Sequence, residues 1–98
     1  MEKSEIISVL NSMRPVLERE GVAHIEFFGS QARGDAGPNS DLDVLIDVNP
    51  EHRFSILNLI GVEQLIQEAT GLPVNAFMQR SLDMQFLNSI RKDKVKVF

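Results

Sequence analysis

Two carboxylates separated by a single residue, Asp41 and Asp43, stand at the head of the apolar run Val44-Leu45-Ile46. On an extended chain alternate side chains share a face, so both acids project the same way about 7 Å apart, twice the roughly 3.3 Å rise per residue. Leu42, Val44 and Ile46 then face a core. Oxygen-only donors suit Mg2+, which keeps several waters and takes one or two protein carboxylates together with oxygens of a substrate phosphate. Shortly upstream, Gly29-Ser30-Gln31-Ala32-Arg33-Gly34 follows directly on the apolar run Ile25-Glu26-Phe27-Phe28. A Gly-Ser turn between a strand and a helix start presents backbone N–H groups and a hydroxyl to a phosphate, and Arg33 adds charge there. The two signals together point to nucleotide chemistry. Either alone has a plainer reading: the glycines turn the chain, Ser30 caps a helix, and the acids are a solvated strand face. Two unpaired acids at neighbouring same-face positions repel each other, however, and a cation between them is the more economical account.

The succession Gly29-Ser30, Arg33-Gly34 and Ser40-Asp41-Leu42-Asp43 resembles the nucleotidyltransferase superfamily of DNA polymerase beta, and the small size is similar to its minimal nucleotidyltransferase branch. The resemblance covers nearly the whole chain, with both motifs in order and each on its expected element. It implies that Gly29, Ser30, Arg33 and Ser40 bind an NTP, with ATP the expected one. It further implies that Asp41 and Asp43 bind Mg2+ in a two-metal arrangement for nucleotidyl transfer.

In that superfamily a third carboxylate on a later strand completes the catalytic set with Asp41 and Asp43. Here the later strand reads Pro73-Val74-Asn75-Ala76-Phe77-Met78, which puts Asn75 at that position. An amide ligates through its carbonyl oxygen but brings no negative charge and cannot accept a proton at neutral pH. Among the remaining acids, Asp47 shares the face of Asp43 but lies about 13 Å along the strand, too far for a shared metal site. Glu26, on the neighbouring strand and on the face of Phe28, is the better stand-in. Asp83 is the next acid if the motif register is shifted, although it falls in a helical segment.

Stand-alone minimal nucleotidyltransferases are often paired with a helical protein of the HEPN class in toxin–antitoxin modules. The resemblance therefore implies an antitoxin that transfers a nucleoside monophosphate, AMP from ATP, to a hydroxyl of such a partner. The alternative is a degenerate pseudoenzyme, marked by Asn75, that keeps the fold and acts by binding a nucleotide or occluding the partner. A small hydroxyl acceptor is a third option.

With 98 residues and 43% hydrophobic composition the chain reads as one domain, residues 1–98, with a single modest core. Without room for a second module to grip base or acceptor, a partner or self-association into a homo-oligomer is expected to supply it. The net charge of −4 offers no basic footprint for nucleic acid and disfavours a polymerase role. With 0 Cys, disulfides and thiolate metal sites are excluded. No apolar run is long enough to span a bilayer and no signal-peptide layout opens the chain, so cytoplasmic residence is the default expectation. His24 and His52 lie in no metal-ligand spacing and receive no role.

The supporting elements alternate. Ile6, Val9, Leu10, Met13, Val16 and Leu17 predict a helix capped by Ser4, kinked or split by Pro15 and stopped at Gly21. Strands are expected over Ala23–Phe28, Leu42–Val48, Val74–Met78 and Val95–Phe98, with a loop holding Gly37-Pro38-Asn39. Ile56, Leu59, Ile60, Glu63, Leu65, Ile66 and Ala69 outline a mostly apolar stripe of a helix from Ser55 to Thr70 closed by Gly71, and Ser81 is the expected cap of a last helix carrying Leu82, Phe86, Leu87 and Ile90. The expected fold is α/β (α+β): a small mixed β-sheet with helices packed on it, a polymerase beta-like nucleotidyltransferase core. Its site lies at the sheet end where Gly29, Asp41 and Asn75 converge.

Overall fold

A computed structural model describes residues 1–38 and 40–98; the expected loop at Gly37-Pro38 continues through Asn39, which lies outside the described residues. Four strands, β1 (Val22–Phe28), β2 (Leu42–Val48), β3 (Val74–Met78) and β4 (Val95–Lys96), form one sheet in the order β3-β2-β1-β4. β1 runs antiparallel to β2 and β4, and β2 runs parallel to β3. The parallel pair is made possible by a crossover through a 15-residue helix, α4 (Ile56–Thr70), which covers one face of the sheet.

That face is the main core. Ile25 and Phe27 of β1, Leu42, Val44 and Ile46 of β2, and Val74 and Ala76 of β3 pack against Ile6, Leu10, Leu17, Leu59, Val62 and Ile66 from the helices. A register irregularity between Val22 and His24 keeps Val22 on the core side together with Ile25 and Phe27, as an extra residue in one strand does. On the opposite face Phe28, Leu45 and Phe77 meet Leu82 together with Phe86, Leu87 and Ile90 of a short helix, α5 (Met84–Ile90). Three rings form the centre of this smaller cluster, with Phe28 5.7 Å from Phe77 and 5.9 Å from Phe86.

Helix boundaries follow from local chemistry. Pro15 splits the first helical pattern into α1 (Lys3–Ser12) and α2 (Arg14–Arg19), because a proline tolerates only the first turn of a helix. Ser4 does not cap α1. The helix begins earlier, with Glu2 as the cap residue and its backbone N–H donated to Glu5 Oε1 at 3.1 Å. Gly71 closes α4 in the left-handed region, as expected. Ser81 does not cap α5 either. It ends a 3-10 turn, Leu82 is extended and partly buried, and Asp83 takes the cap by accepting from the Phe86 N–H at 2.8 Å. The last strand is paired through Glu26 and Phe27, and hydrogen bonds continue from Ile25 to Val97 and Phe98.

α4 packs its Leu59, Val62 and Ile66 inward but leaves Ile56, Leu57 and Ile60 exposed. Among the described residues no helix is long and apolar enough to cross a membrane.

Candidate functional site

Three strand ends meet in one row. Phe28 pairs with Asp43 across β1 and β2, and Asp43 pairs with Asn75 across β2 and β3. Gly29 follows Phe28 immediately, so the turn that leaves β1 starts beside the Asp43 side chain. Asp41 lies one residue before β2, and the Leu42 N–H donates to the Pro73 carbonyl at 2.8 Å, which extends the β2–β3 pairing up to the site.

Asn75 draws both acids together. Its Nδ2 donates to Asp41 Oδ2 at 2.9 Å and to Asp43 Oδ1 at 3.1 Å. A carboxylate only accepts, so the amide must present its NH2 side here. Asp41 and Asp43 therefore share a face, Asn75 is the third polar side chain of the cluster, and each carboxylate keeps one oxygen without a hydrogen-bond partner among the described residues: Asp41 Oδ1 and Asp43 Oδ2.

Gly29 is required by close approach as well as by conformation. Its φ of 77° is in the region that L side chains avoid, and a Cβ there would sit 2.7 Å from Asp43 Oδ2. The absent side chain leaves a cradle between the turn and the carboxylate. Gly29 leads into a four-residue helix, α3 (Ser30–Arg33), ended by Gly34 in the left-handed conformation. The N–H groups of Ser30 and Gln31 open this helix and have no partner within it.

The loop that delivers Asp41 is tied to α3. Gln31, only 4% exposed, donates from Nε2 to the Ser40 carbonyl at 3.0 Å. Ser40 Oγ in turn accepts from the Gly37 N–H at 2.8 Å, so Ser40 shapes the turn that precedes Asp41. Sequence reading passed over Gln31. Its burial depends on Ser40 coming back against α3, and nothing in the local pattern distinguishes it from an exposed helix residue. Glu63 was likewise placed only in the α4 stripe. It accepts from the Ala76 N–H at 2.7 Å, which satisfies the outer edge of β3 next to Asn75.

Arg33 is engaged by acids of its own chain. Its guanidinium meets Asp35 at 3.1 Å and Asp93 at 3.6 Å. The hydrogen bond and charge of Asp35, then Asp93, hold it above the usual guanidinium range. It is about half exposed, and a phosphate would compete with these two carboxylates.

The expectation that Glu26 stands in for a third acid fails on geometry. Glu26 is opposite Leu45, two residues or about 7 Å along the sheet from the Asp43 row. Its Oε2 is paired with Lys94 at 3.3 Å. Asp47 lies opposite His24 at the far end of β2, and Asp83 is committed as a helix cap. Among the described residues no cluster of three His, Cys, Asp or Glu side chains forms. Two carboxylates with unused oxygens, one set against the glycine of a phosphate-type turn, nevertheless fit a hard divalent ion that arrives with phosphate oxygens of its own. They do not make a cage that would hold such an ion alone.

Comparison with known proteins identifies the family and the fold. The family model described as "Nucleotidyltransferase domain" matches residues 4–97. The protein adenylyltransferase MntA of Thermococcus cleftensis is 36% identical over 94 residues, covering 95% of this chain and 93% of that protein. A solved structure of a candidate minimal nucleotidyltransferase superposes with a TM-score of 0.80 at 22% identity, covering 97% of this chain and 95% of the other. The minimal nucleotidyltransferase antitoxin complex with a tri-AMPylated HEPN toxin from Shewanella oneidensis gives a TM-score of 0.68 at 13% identity, covering 98% of this chain and 71% of the matched one. These two structural likenesses bear on the fold.

Proposed function

Because the chain belongs to the nucleotidyltransferase-domain family, we propose that it is a Mg2+-dependent adenylyltransferase that moves AMP from ATP to a hydroxyl of a HEPN-class helical partner and acts as the antitoxin of that pair. The observation that carries the reading is Asp43 Oδ2 set against the side-chain-free Gly29, with Asp41 joined to Asp43 through Asn75. A metal-binding carboxylate and a phosphate turn are thereby in direct apposition. The similarity to a protein adenylyltransferase and to an antitoxin seen with an AMPylated toxin supports the choice of AMP and of the partner class.

In this reading Ser30 and the opening N–H groups of α3 hold the triphosphate, with Arg33 exchanging one of its carboxylate partners for phosphate. Asp41 and Asp43 would hold Mg2+, which when bound neutralises phosphate charge and polarises the α-phosphorus. Gln31 and Ser40 keep the Asp41 segment in place while the nucleotide enters. The acceptor oxygen forms its bond to the α-phosphorus as the bond to the bridging oxygen of the β-phosphate breaks and pyrophosphate leaves. The acceptor's proton goes to solvent, because the Asn75 amide is not a base. Alignment and charge neutralisation supply the rate. Ile56, Leu57 and Ile60 offer an apolar surface of the kind a helical partner covers.

Asn75 favours one second reading: a silenced enzyme that works by binding its partner. Transfer from ATP labelled at the α-phosphate, with Mg2+ and the co-expressed partner, separates the two. Label on the partner with wild type, lost in the Asp41→Ala/Asp43→Ala variant, supports transfer. Label that emerges only with Asn75→Asp supports silencing.

A further inference from the structure

The amide nitrogen of Asn75 occupies the point between Asp41 and Asp43 where their negative charge overlaps, and it presents one N–H to each. That is the electrostatic task of a bridging cation. A planar NH2 group opens its two hydrogens by about 120°, which with these contacts sets the two bonded oxygens on the order of 5 Å apart. Cis ligands of an octahedral Mg2+ lie only about 3 Å apart. The amide-bound oxygens therefore cannot both ligate one ion while the bridge stands. The oxygens left for an ion are Asp41 Oδ1 and Asp43 Oδ2, the latter against the Gly29 turn.

We propose that Asn75 is a positioning residue that takes the place of a second cation, so that this site binds a single divalent ion, held by Asp41 Oδ1, Asp43 Oδ2 and nucleotide phosphate. The inference rests on the functional reading above and deepens it. Glu63, by holding the Ala76 N–H, fixes the strand from which Asn75 reaches both acids. Asn75 lies at the exposed end of β3, so substitutions there are compatible with folding.

The test is an ion count. The full chain is titrated with Mn2+ in the presence of α,β-methylene ATP, whose methylene bridge blocks AMP transfer, and bound Mn2+ is read by electron paramagnetic resonance. Wild type is expected to hold one Mn2+ per chain and Asn75→Asp two. Two ions in wild type, or one in Asn75→Asp, overturn the proposal while leaving the nucleotidyltransferase reading intact. No bound ion in wild type overturns both. In Asn75→Ala the carboxylates lose their bridge, so the ion-free melting temperature should fall and rise with Mn2+ by more than in wild type. An equal response in the two proteins would also overturn the bridging role.

Discussion

The two faces of the sheet are built from the same strands to opposite ends. On one face Ile25, Phe27, Val44 and Ile46 are closed over by apolar side chains of α1, α2 and α4. On the other, Phe28, Leu45 and Phe77 fill a smaller cluster under α5, and the same alternation that points them outward also points Asp43 and Asn75 outward at the strand ends. The closed face supplies stability. The open end concentrates like charge and leaves it bridged by a single amide, an arrangement that gains from an incoming ion more than it contributes to folding.

That contrast can be broken from either side. The largest expected effect is on transfer: Asp43→Ala should lower it by roughly a thousandfold or more, several kcal/mol of lost charge stabilisation, while the melting temperature stays near wild type. Assay of labelled AMP transfer alongside thermal melts checks both halves. Phe27→Ala tests the other face, and should cost about 3–5 kcal/mol in denaturant unfolding because a fully buried ring leaves a cavity in the main core. Gln31→Leu sits between the two regions. It strands the Ser40 carbonyl and should cost about 1–3 kcal/mol, with transfer falling as the Asp41 segment loosens. At the small end, Leu57→Ser should change the stability of the chain alone by no more than about 0.5 kcal/mol, since the side chain is 75% exposed. Its effect should instead be a weaker complex with the co-expressed partner, read by size-exclusion chromatography.

Much of this arrangement is legible in the sequence. The alternation in Leu42-Asp43-Val44-Leu45-Ile46 dictates which side chains enter the core and which meet at the site, and Gly71 marks the end of α4 at the observed residue. The Gly-Ser turn and the two aspartates are local patterns, so their elements could be placed from short-range chemistry. The misplaced features depend on long-range contacts or on competing caps. Ser4 and Ser81 are acceptable caps in isolation, but Glu2 with Glu5 and Asp83 with Phe86 win because their partners lie in the following turn. Glu26 faces the correct side of β1, yet register puts it opposite Leu45 and within reach of Lys94. The Asn75 bridge could not be anticipated from residue type, because it requires the parallel register of β2 with β3.

The central claim is that Asp41 and Asp43 carry AMP transfer to a protein partner. Intact-mass analysis of the partner after co-expression tests it most directly. Wild type should add the mass of one or more AMP groups to the partner, and the Asp41→Ala/Asp43→Ala chain should add none. A partner that stays unmodified with the wild-type chain, yet remains bound and silenced by it, would contradict the account and leave a binding module in its place.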